Sequence, residues 1–279
     1  MIVTRFAPSP TGLLHIGSAF SALFTERAAR EAGGRFLLRI EDIDTARCRP
    51  EFADAICEDL AWLGVRWEEP VRRQSKHFTD YRAALARLAA MDLVYPCFCT
   101  RTEIRAEIAA AAGAPHGTAG PLYPGTCRRL DPGERAARLA RGDNHALRLD
   151  VSAAAALAGP IAWHDRTRGE QRARPDLLGD VVLARKDVPA SYHLAVTLDD
   201  HLQGVTLVTR GEDLFAATHI HRLLQALLGL ATPEYLHHKL LLGADGRRFA
   251  KRDRALTLRA LREAGRTPAE VRAMARFAA

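Results

Sequence analysis

The stretch PSPTGLLHIGS, residues 8–18, combines prolines, glycines and a single histidine directly before a helical pattern. Gly12 and Gly17 allow the backbone to approach a ligand closely, because they have no side chain. A helix that begins near Gly17 offers unpaired N–H groups and the positive end of its dipole, which suits phosphate. His15 can donate a hydrogen bond to a phosphate oxygen. Taken alone, the stretch is more typical of a stiff connection that carries a surface histidine.

Three of the five cysteines enclose a segment rich in glycine and proline. Cys97 and Cys99 stand in the triplet CFC, and Cys127 ends the segment APHGTAGPLYPGTC. Thiolates bind Zn²⁺ well, and a tetrahedral structural site needs one more ligand, for which His116 is chemically suitable. An odd number of cysteines without a secretion signal argues against a disulfide framework. The cysteines therefore predict a structural zinc site, with reduced structural thiols as the alternative.

Positive charge is concentrated in the last part of the chain. Residues 247–279 contain ten Lys or Arg and three Asp or Glu, and this excess equals the net charge of +7 of the whole chain. The segment indicates a polyanionic partner, and the alternative is a solvated helix face in an arginine-rich protein. No apolar run is long enough to span a membrane, and the N-terminus lacks a secretion signal. We therefore expect a cytoplasmic protein without a membrane partner.

The elements that would position these residues begin with a strand, a loop, a helix and a second strand over residues 2–44. This order is a βαβ unit and predicts an α/β fold with a parallel sheet, in which ligands bind at the carboxyl ends of the strands. Two further helices are expected over residues 51–65 and 77–96. Residues 97–130 break the pattern and open a mixed α and β segment. Residues 191–214 predict strand runs that end in polar, glycine-containing turns.

Four motifs together resemble the glutamyl branch of the class I aminoacyl-tRNA synthetases. RFAPSPTGLLHIGSA at 5–19 contains HIGS, which corresponds to the HIGH signature of that class. RIEDID at 39–44, the segment 191–214 and RRFAKRD at 247–253 follow in the order of that branch. The resemblance implies a Rossmann-type catalytic domain with a parallel sheet and an inserted zinc-containing α+β module that binds tRNA. It divides the chain into the first half of the catalytic domain (1–95), the inserted module (96–185), the second half (186–243), and a KMSKS-type loop with short basic C-terminal helices (244–279).

The resemblance also implies a glutamate pocket and an ATP site. Two arginines match the two carboxylates of L-glutamate, and Glu41 matches its ammonium group. ATP, together with Mg²⁺, would lie against His15, Gly17 and Lys251, with His15 and Lys251 as catalytic residues that stabilise phosphate charge. As single residues, the arginines also fit surface salt bridges, and Tyr192 fits core packing. The implied glutamate pocket consists of Arg5, Phe6, Ala7, Pro8, Ser9, Glu41, Tyr192 and Arg210.

The loop that carries Lys251 departs from the family pattern at two positions. Lys251 matches the second lysine of the KMSKS-type signature, but Arg248 replaces the first lysine and Ala250 replaces the serine. The positive charge is retained, whereas the hydrogen bonding of the loop is altered.

At the cysteines, the resemblance gives Tyr123 as the fourth zinc ligand beside Cys97, Cys99 and Cys127. A tyrosinate is an unusual ligand, because the free phenol has a pKa of ~10. His116 remains the alternative fourth ligand. Either set would make zinc a structural cofactor that fixes a segment with little core of its own.

Only 28 residues follow Lys251, whereas full-length glutamyl-tRNA synthetases continue into an anticodon-binding domain. The chain is therefore similar to the glutamyl-Q tRNA(Asp) synthetases, which correspond to the catalytic half alone. This similarity implies activation of L-glutamate by ATP without tRNA, and its transfer to the queuosine base at the wobble position of the tRNA(Asp) anticodon. The alternatives are a compact glutamyl-tRNA synthetase that charges the tRNA 3′ end, and a non-catalytic tRNA-binding relative. We expect a monomer, because no long apolar stripe requires a partner.

Overall fold

The computed structural model describes residues 1–100, 102–104, 122–241 and 257–277, and the backbone of 116–117 and 120–121. The strands are β1 (Val3–Phe6), β2 (Arg35–Ile40), β3 (Glu68–Arg73), β4 (Val94–Cys97), β5 (His116–Gly117), β6 (Gly120–Pro121), β7 (Ala146–Leu149), β8 (Ala162–Asp165), β9 (Gly169–Arg172), β10 (Val182–Arg185), β11 (Leu207–Gly211) and β12 (Glu234–His238). The α-helices with both ends in the described residues are α1 (Ile16–Glu31), α2 (Pro50–Trp62), α3 (Phe78–Ala90), α4 (Pro132–Ala140), α5 (Val151–Ala158), α6 (Tyr192–Leu202), α7 (Ala217–Leu228), α8 (Leu258–Glu263) and α9 (Pro268–Met274). Within these residues, no helix is long and apolar enough to cross a membrane.

Parallel strands form the centre of the fold, as the βαβ pattern predicts. β1, β2 and β3 form one parallel sheet in that order, and β11 pairs in parallel with β12. β1 lies next to β11, because the N–H of Thr206 donates to the carbonyl of Val3 at 3.0 Å. From β1 the chain therefore continues to β2 on one side and meets β11 on the other. Such a reversal of strand order opens a crevice at the carboxyl ends of the strands.

Residues 192–202 form a helix, so the prediction of strand runs across 191–214 is wrong for its first half. Ser191 caps α6, because its side chain accepts a hydrogen bond from the N–H of Leu194 at 3.4 Å. Every residue from Leu194 to Asp200 is buried. A helix that is buried on all sides has no polar face, so the helical period is absent from its sequence. The second half of the prediction is correct, since β11 begins at Leu207.

The helix expected over residues 77–96 is shorter than its pattern suggests. α3 ends at Ala90, and Val94–Cys97 forms β4 in an antiparallel sheet with β7 and β10. Asp92, between them, has a positive φ of 56°, which turns the chain out of the helix. The sheet of β11, β12, β8 and β9 contains strands from both sides of residue 185, where the resemblance divides the inserted module from the second half of the catalytic domain.

The basic C-terminal helices dock on α2. Arg259 donates to Glu58 at 3.3 Å, and Arg272 donates to the carbonyl of Leu63 at 2.9 Å. Leu258 is fully buried in the same core as α1 and α2. Part of the positive charge that indicated a polyanionic partner is therefore directed at the protein itself.

Asp59, on α2, is a fully buried carboxylate next to this docked segment. None of the described residues donates a hydrogen bond to its carboxylate oxygens, and the nearest cation is Arg262 at 3.8 Å. Burial raises the pKa of Asp59 to about 6. The protonated form is therefore favoured by folding, and the stability that it contributes is present below pH ~4 and lost as the pH rises through the folded pKa.

We expect Asp59→Asn to stabilise the protein at pH 8 by about 2 kcal/mol, because the charge is removed while the shape is kept. The measurement is urea unfolding of both proteins at several pH values from 4 to 8. The gain should shrink towards pH 4, where Asp59 is protonated in the folded state and about half protonated in the unfolded state. Glu58→Gln, which changes the exposed neighbouring acid, serves as the control. An equal effect of Asp59→Asn at pH 4 and pH 8 would contradict the assigned burial cost.

Candidate active site

A cavity of about 880 Å³ lies at the carboxyl ends of β1, β2 and β11. Every described residue of the implied glutamate and ATP sites lines this cavity. Lys251, Arg248 and Ala250 lie outside the described residues, so their place relative to the cavity stays a prediction. The lining residues that the sequence analysis selected are Arg5, Phe6, Ala7, Pro8, Ser9, His15, Gly17, Glu41, Tyr192 and Arg210.

His15 forms the N-cap of α1 at the edge of the cavity. Its Nδ1 accepts a hydrogen bond from the N–H of Ser18 at 3.3 Å, so the proton of the neutral ring is on Nε2. The backbone of His15 also bridges to Thr257, and the N–H of Leu258 donates to the carbonyl of Leu14 at 2.9 Å. The HIGS motif is therefore tied to the described residues that follow the RRFAKRD motif in sequence.

Arg5 is held in place by an acidic residue that the sequence did not predict as part of the site. Asp200 accepts from Arg5 Nε at 2.8 Å, and the carbonyl of Thr209 accepts from Nη1 at 3.2 Å. Arg39, which is fully buried, donates to Asp200 at 2.8 Å and to Glu41 at 3.1 Å. Although burial raises the pKa of Asp200, the two arginines hold it below its usual range. Two buried cations and two buried carboxylates therefore compensate one another.

Arg210 has a different environment, in which all direct partners are uncharged acceptors. Its Nε donates to Nε2 of His237 at 3.2 Å, and its Nη1 donates to Nδ1 of His221 at 3.1 Å. Its Nη2 donates to the hydroxyl of Thr218 at 2.6 Å, and the hydroxyl of Tyr192 lies at 3.5 Å from Nη1. Arg210 is only 6% exposed. Among the residues that the structure describes, no carboxylate forms an ion pair with it, so its charge faces the cavity without a counter-ion.

The sequence did not predict the residues that hold Arg5 and Arg210 in place. A signal for Asp200 was present, because LDD places two acids inside an otherwise apolar run, and Asp199 is also fully buried. No local signal marks His221 or His237, because their contacts with Arg210 bridge 11 and 27 positions of the chain.

The thiols of Cys97, Cys99 and Cys127 meet in a separate cluster, with sulfur atoms within 4.8 Å of one another. The hydroxyl of Tyr123 lies at 3.4 Å from the sulfur of Cys97 and at 3.6 Å from that of Cys99. Four potential ligand atoms therefore converge, as the resemblance implies. Burial raises the pKa of the Tyr123 phenol, so a tyrosinate ligand needs the cation to displace its proton. The side chain of His116 lies outside the described residues.

Comparison with known proteins assigns this chain to one family. Residues 1–278 match the family described as tRNA synthetases class I (E and Q), catalytic domain. A glutamyl-Q tRNA(Asp) synthetase of Rhodobacter capsulatus is 50% identical over 97% of this chain and 98% of its own length. A glutamate–tRNA ligase 2 of Nitrosococcus oceani is 42% identical over 95% of this chain and 56% of its own length.

A solved structure supports the same relationship. The crystal structure of a glutamate tRNA ligase from Elizabethkingia meningosepticum, in complex with its amino acid, is 32% identical to this chain, with a TM-score of 0.74. The match covers 90% of this chain and 52% of the ligase. This chain thus spans about half the length of that solved ligase.

Proposed function

The chain belongs to the class I tRNA synthetases (E and Q), and we propose that it activates L-glutamate with ATP in the absence of tRNA and transfers it to queuosine at the wobble position of tRNA(Asp). The chain is a ligase of the synthetase type, as its family and its relatives are. The name of the R. capsulatus relative, which is similar over nearly its full length, supports the queuosine step.

The observation that carries the choice of an acidic amino acid is the uncompensated charge of Arg210. Burying a cation without a counter-ion is costly, so the cavity favours a ligand that brings a carboxylate. Arg5 uses three of its five N–H donors on described residues, which leaves two for a second carboxylate. Glu41 lines the same cavity, and its carboxylate can accept hydrogen bonds from an ammonium group. Two cations and one anion match glutamate, which has two carboxylates and one ammonium.

In the activation step, a carboxylate oxygen of glutamate attacks the α-phosphorus of ATP, and the bond to pyrophosphate breaks. The protein needs to supply position and positive charge rather than a nucleophile. The Nε2–H of His15 and the N–H groups at the start of α1 are the donors on the ATP side of the cavity. Lys251 is proposed, from its motif alone, to hold the phosphates. Mg²⁺ bound to ATP would neutralise further phosphate charge.

We also propose that Zn²⁺ is bound by Cys97, Cys99, Cys127 and Tyr123. The three thiols are suitable zinc ligands, and their separations fit one tetrahedral centre. The N–H of Phe98 donates to the sulfur of Cys127 at 3.3 Å, which stabilises a thiolate there. The cluster lies outside the cavity, so the role of zinc would be structural.

Two assays test the proposed function. The first is ATP–pyrophosphate exchange that depends on glutamate, measured without tRNA, and activity is expected. The second is transfer of labelled glutamate to tRNA(Asp) that carries queuosine, to the same tRNA with guanosine at that position, and to each after removal of the 3′ adenosine. Label should require queuosine and survive loss of the 3′ adenosine.

Each alternative function has its own outcome in these assays. Label that disappears with the 3′ adenosine and ignores queuosine would identify a compact glutamyl-tRNA synthetase. Absence of both exchange and transfer, in a folded protein that still binds tRNA, would identify the non-catalytic relative.

A further inference from the structure

We propose that His237 and His221 are positioning residues that hold the guanidinium of Arg210 as neutral imidazoles, and thereby keep its charge available for a substrate carboxylate. The inference rests on the proposed function in one respect, namely that the carboxylate belongs to glutamate. The arrangement itself rests on two sets of contacts around Arg210 and on the charge state of the histidine rings.

The first set of contacts links Arg210 through His237 to a buried acid. Oδ2 of Asp165 lies at 2.6 Å from Nδ1 of His237, and Asp165 is fully buried. The other carboxylate oxygen of Asp165 accepts from the N–H and hydroxyl of Thr167, at 2.9 and 2.6 Å. An ionised carboxylate can only accept, so Nδ1 of His237 carries the proton. Nε2 then presents its lone pair to Nε of Arg210, at 3.2 Å.

The second set of contacts links Arg210 through His221 to His193. Nδ1 of His221 lies at 3.1 Å from Nη1 of Arg210, and the guanidinium can only donate, so this nitrogen carries no proton. The proton of His221 is therefore on Nε2, which lies at 3.2 Å from Nδ1 of His193. The two histidines that touch Arg210 consequently have opposite tautomers, each with a lone pair directed at the guanidinium.

The third observation is that both rings are kept uncharged. Burial, aided by Arg210, lowers the pKa of His237 and that of His193 to about 4. Burial and the same arginine hold the pKa of His221 well below its ordinary value. Among the described residues, the titratable or charged groups that face His237 are Asp165, Arg168, Arg210 and Tyr235, whose ring stacks on it. Those that face His221 are Arg5, Tyr192, His193, Arg210 and His237.

Neutral partners matter, because an acid in direct contact would neutralise Arg210 and compete with the substrate. Asp165 orients the guanidinium through one intervening imidazole and leaves the charge itself uncompensated. Arg5 shows the opposite arrangement, with Asp200 in direct contact. The pocket thus combines one arginine with a fixed protein counter-ion and one whose counter-ion is left to the ligand.

The kinetic test uses matched substitutions at His221. Asn can place an acceptor oxygen near the position of Nδ1, Asp has the same shape with a negative charge, and Leu has no acceptor. We expect His221→Leu to raise the KM for glutamate roughly ten- to hundredfold, as loss of a hydrogen bond to a charged group does, with the KM for ATP unchanged. His221→Asn should restore most of this loss, whereas His221→Asp should not. Equal behaviour of the Asn and Asp variants would overturn the proposal.

His237→Gln and His237→Leu form a second pair, since Gln can place an oxygen near the position of Nε2. Gln should again perform better than Leu in the KM for glutamate. A Leu variant that folds and retains the normal KM for glutamate would overturn the role of His237.

Nitrogen NMR of the histidine rings tests the arrangement without any activity measurement. At pH 7, His237 should show the Nδ1–H form and His221 the Nε2–H form, and both should stay uncharged down to about pH 5. Exposed His164 serves as the internal reference for a ring in contact with solvent. A doubly protonated His237 or His221 at pH 7 would overturn the proposal. If the wild-type protein shows the expected forms but no exchange, the proposed function fails and the arrangement stands.

Discussion

Arg210→Gln will reduce kcat/KM for glutamate in ATP–pyrophosphate exchange by about 10³-fold, because removal of one partner from a buried charge pair costs about 2–5 kcal/mol. The glutamine side chain keeps part of the hydrogen bonding to Thr218 and His237 but supplies no positive charge. The free energy of unfolding should stay the same or increase, since the variant removes a buried cation that has no carboxylate partner among the described residues. Steady-state exchange and urea unfolding of the same preparations provide the measurements.

Arg5→Gln is the matched control for this prediction. It should also reduce exchange, but it should lower the free energy of unfolding by roughly 3 kcal/mol, because Asp200 keeps only Arg39 as a partner. The two variants would then be similar in activity and different in stability. If Arg210→Gln destabilises the protein as strongly as Arg5→Gln does, the prediction is wrong. The positive charge of Arg210 then has a counter-ion in the protein, outside the residues that the structure describes.

Cys127→Ser will reduce bound zinc from about one equivalent per chain to less than ~0.1, and will lower the free energy of unfolding by at least ~3 kcal/mol. The physical reason is that three buried or half-buried thiols and one phenol lie within reach of a single metal ion. Metal analysis after extensive dialysis and unfolding by urea are the measurements. Cys57→Ser, at a half-buried cysteine outside the cluster, should change neither quantity.

Two further variants decide the fourth zinc ligand. Tyr123→Phe removes the hydroxyl and should weaken zinc binding, while His116→Ala should leave it unchanged. The reverse result would assign His116 as the ligand. A wild-type protein without zinc after expression in zinc-supplemented medium would contradict the site as a whole.

The sequence predicted which residues lie together where their placement depends on local order along the chain. The strand, loop and helix order of residues 2–44 places Arg5, His15 and Glu41 at one edge of a parallel sheet, because consecutive parallel strands end on the same side. CFC and Cys127 similarly bracket a short segment, so their meeting needs little more than a closed loop. The prediction failed at residues 192–202, because complete burial removes the helical period by which sequence patterns identify a helix.

The sequence by itself determined the family, the parallel α/β architecture, and ten residues that share one cavity. These features follow from motifs and from hydrophobic order along the chain, which are local properties. Only the tertiary structure decided which arginine has a counter-ion, since Asp200 is 195 positions from Arg5. It alone also brought His237 and His221 against Arg210. Charge compensation is set by distance in space, and a sequence does not contain that distance.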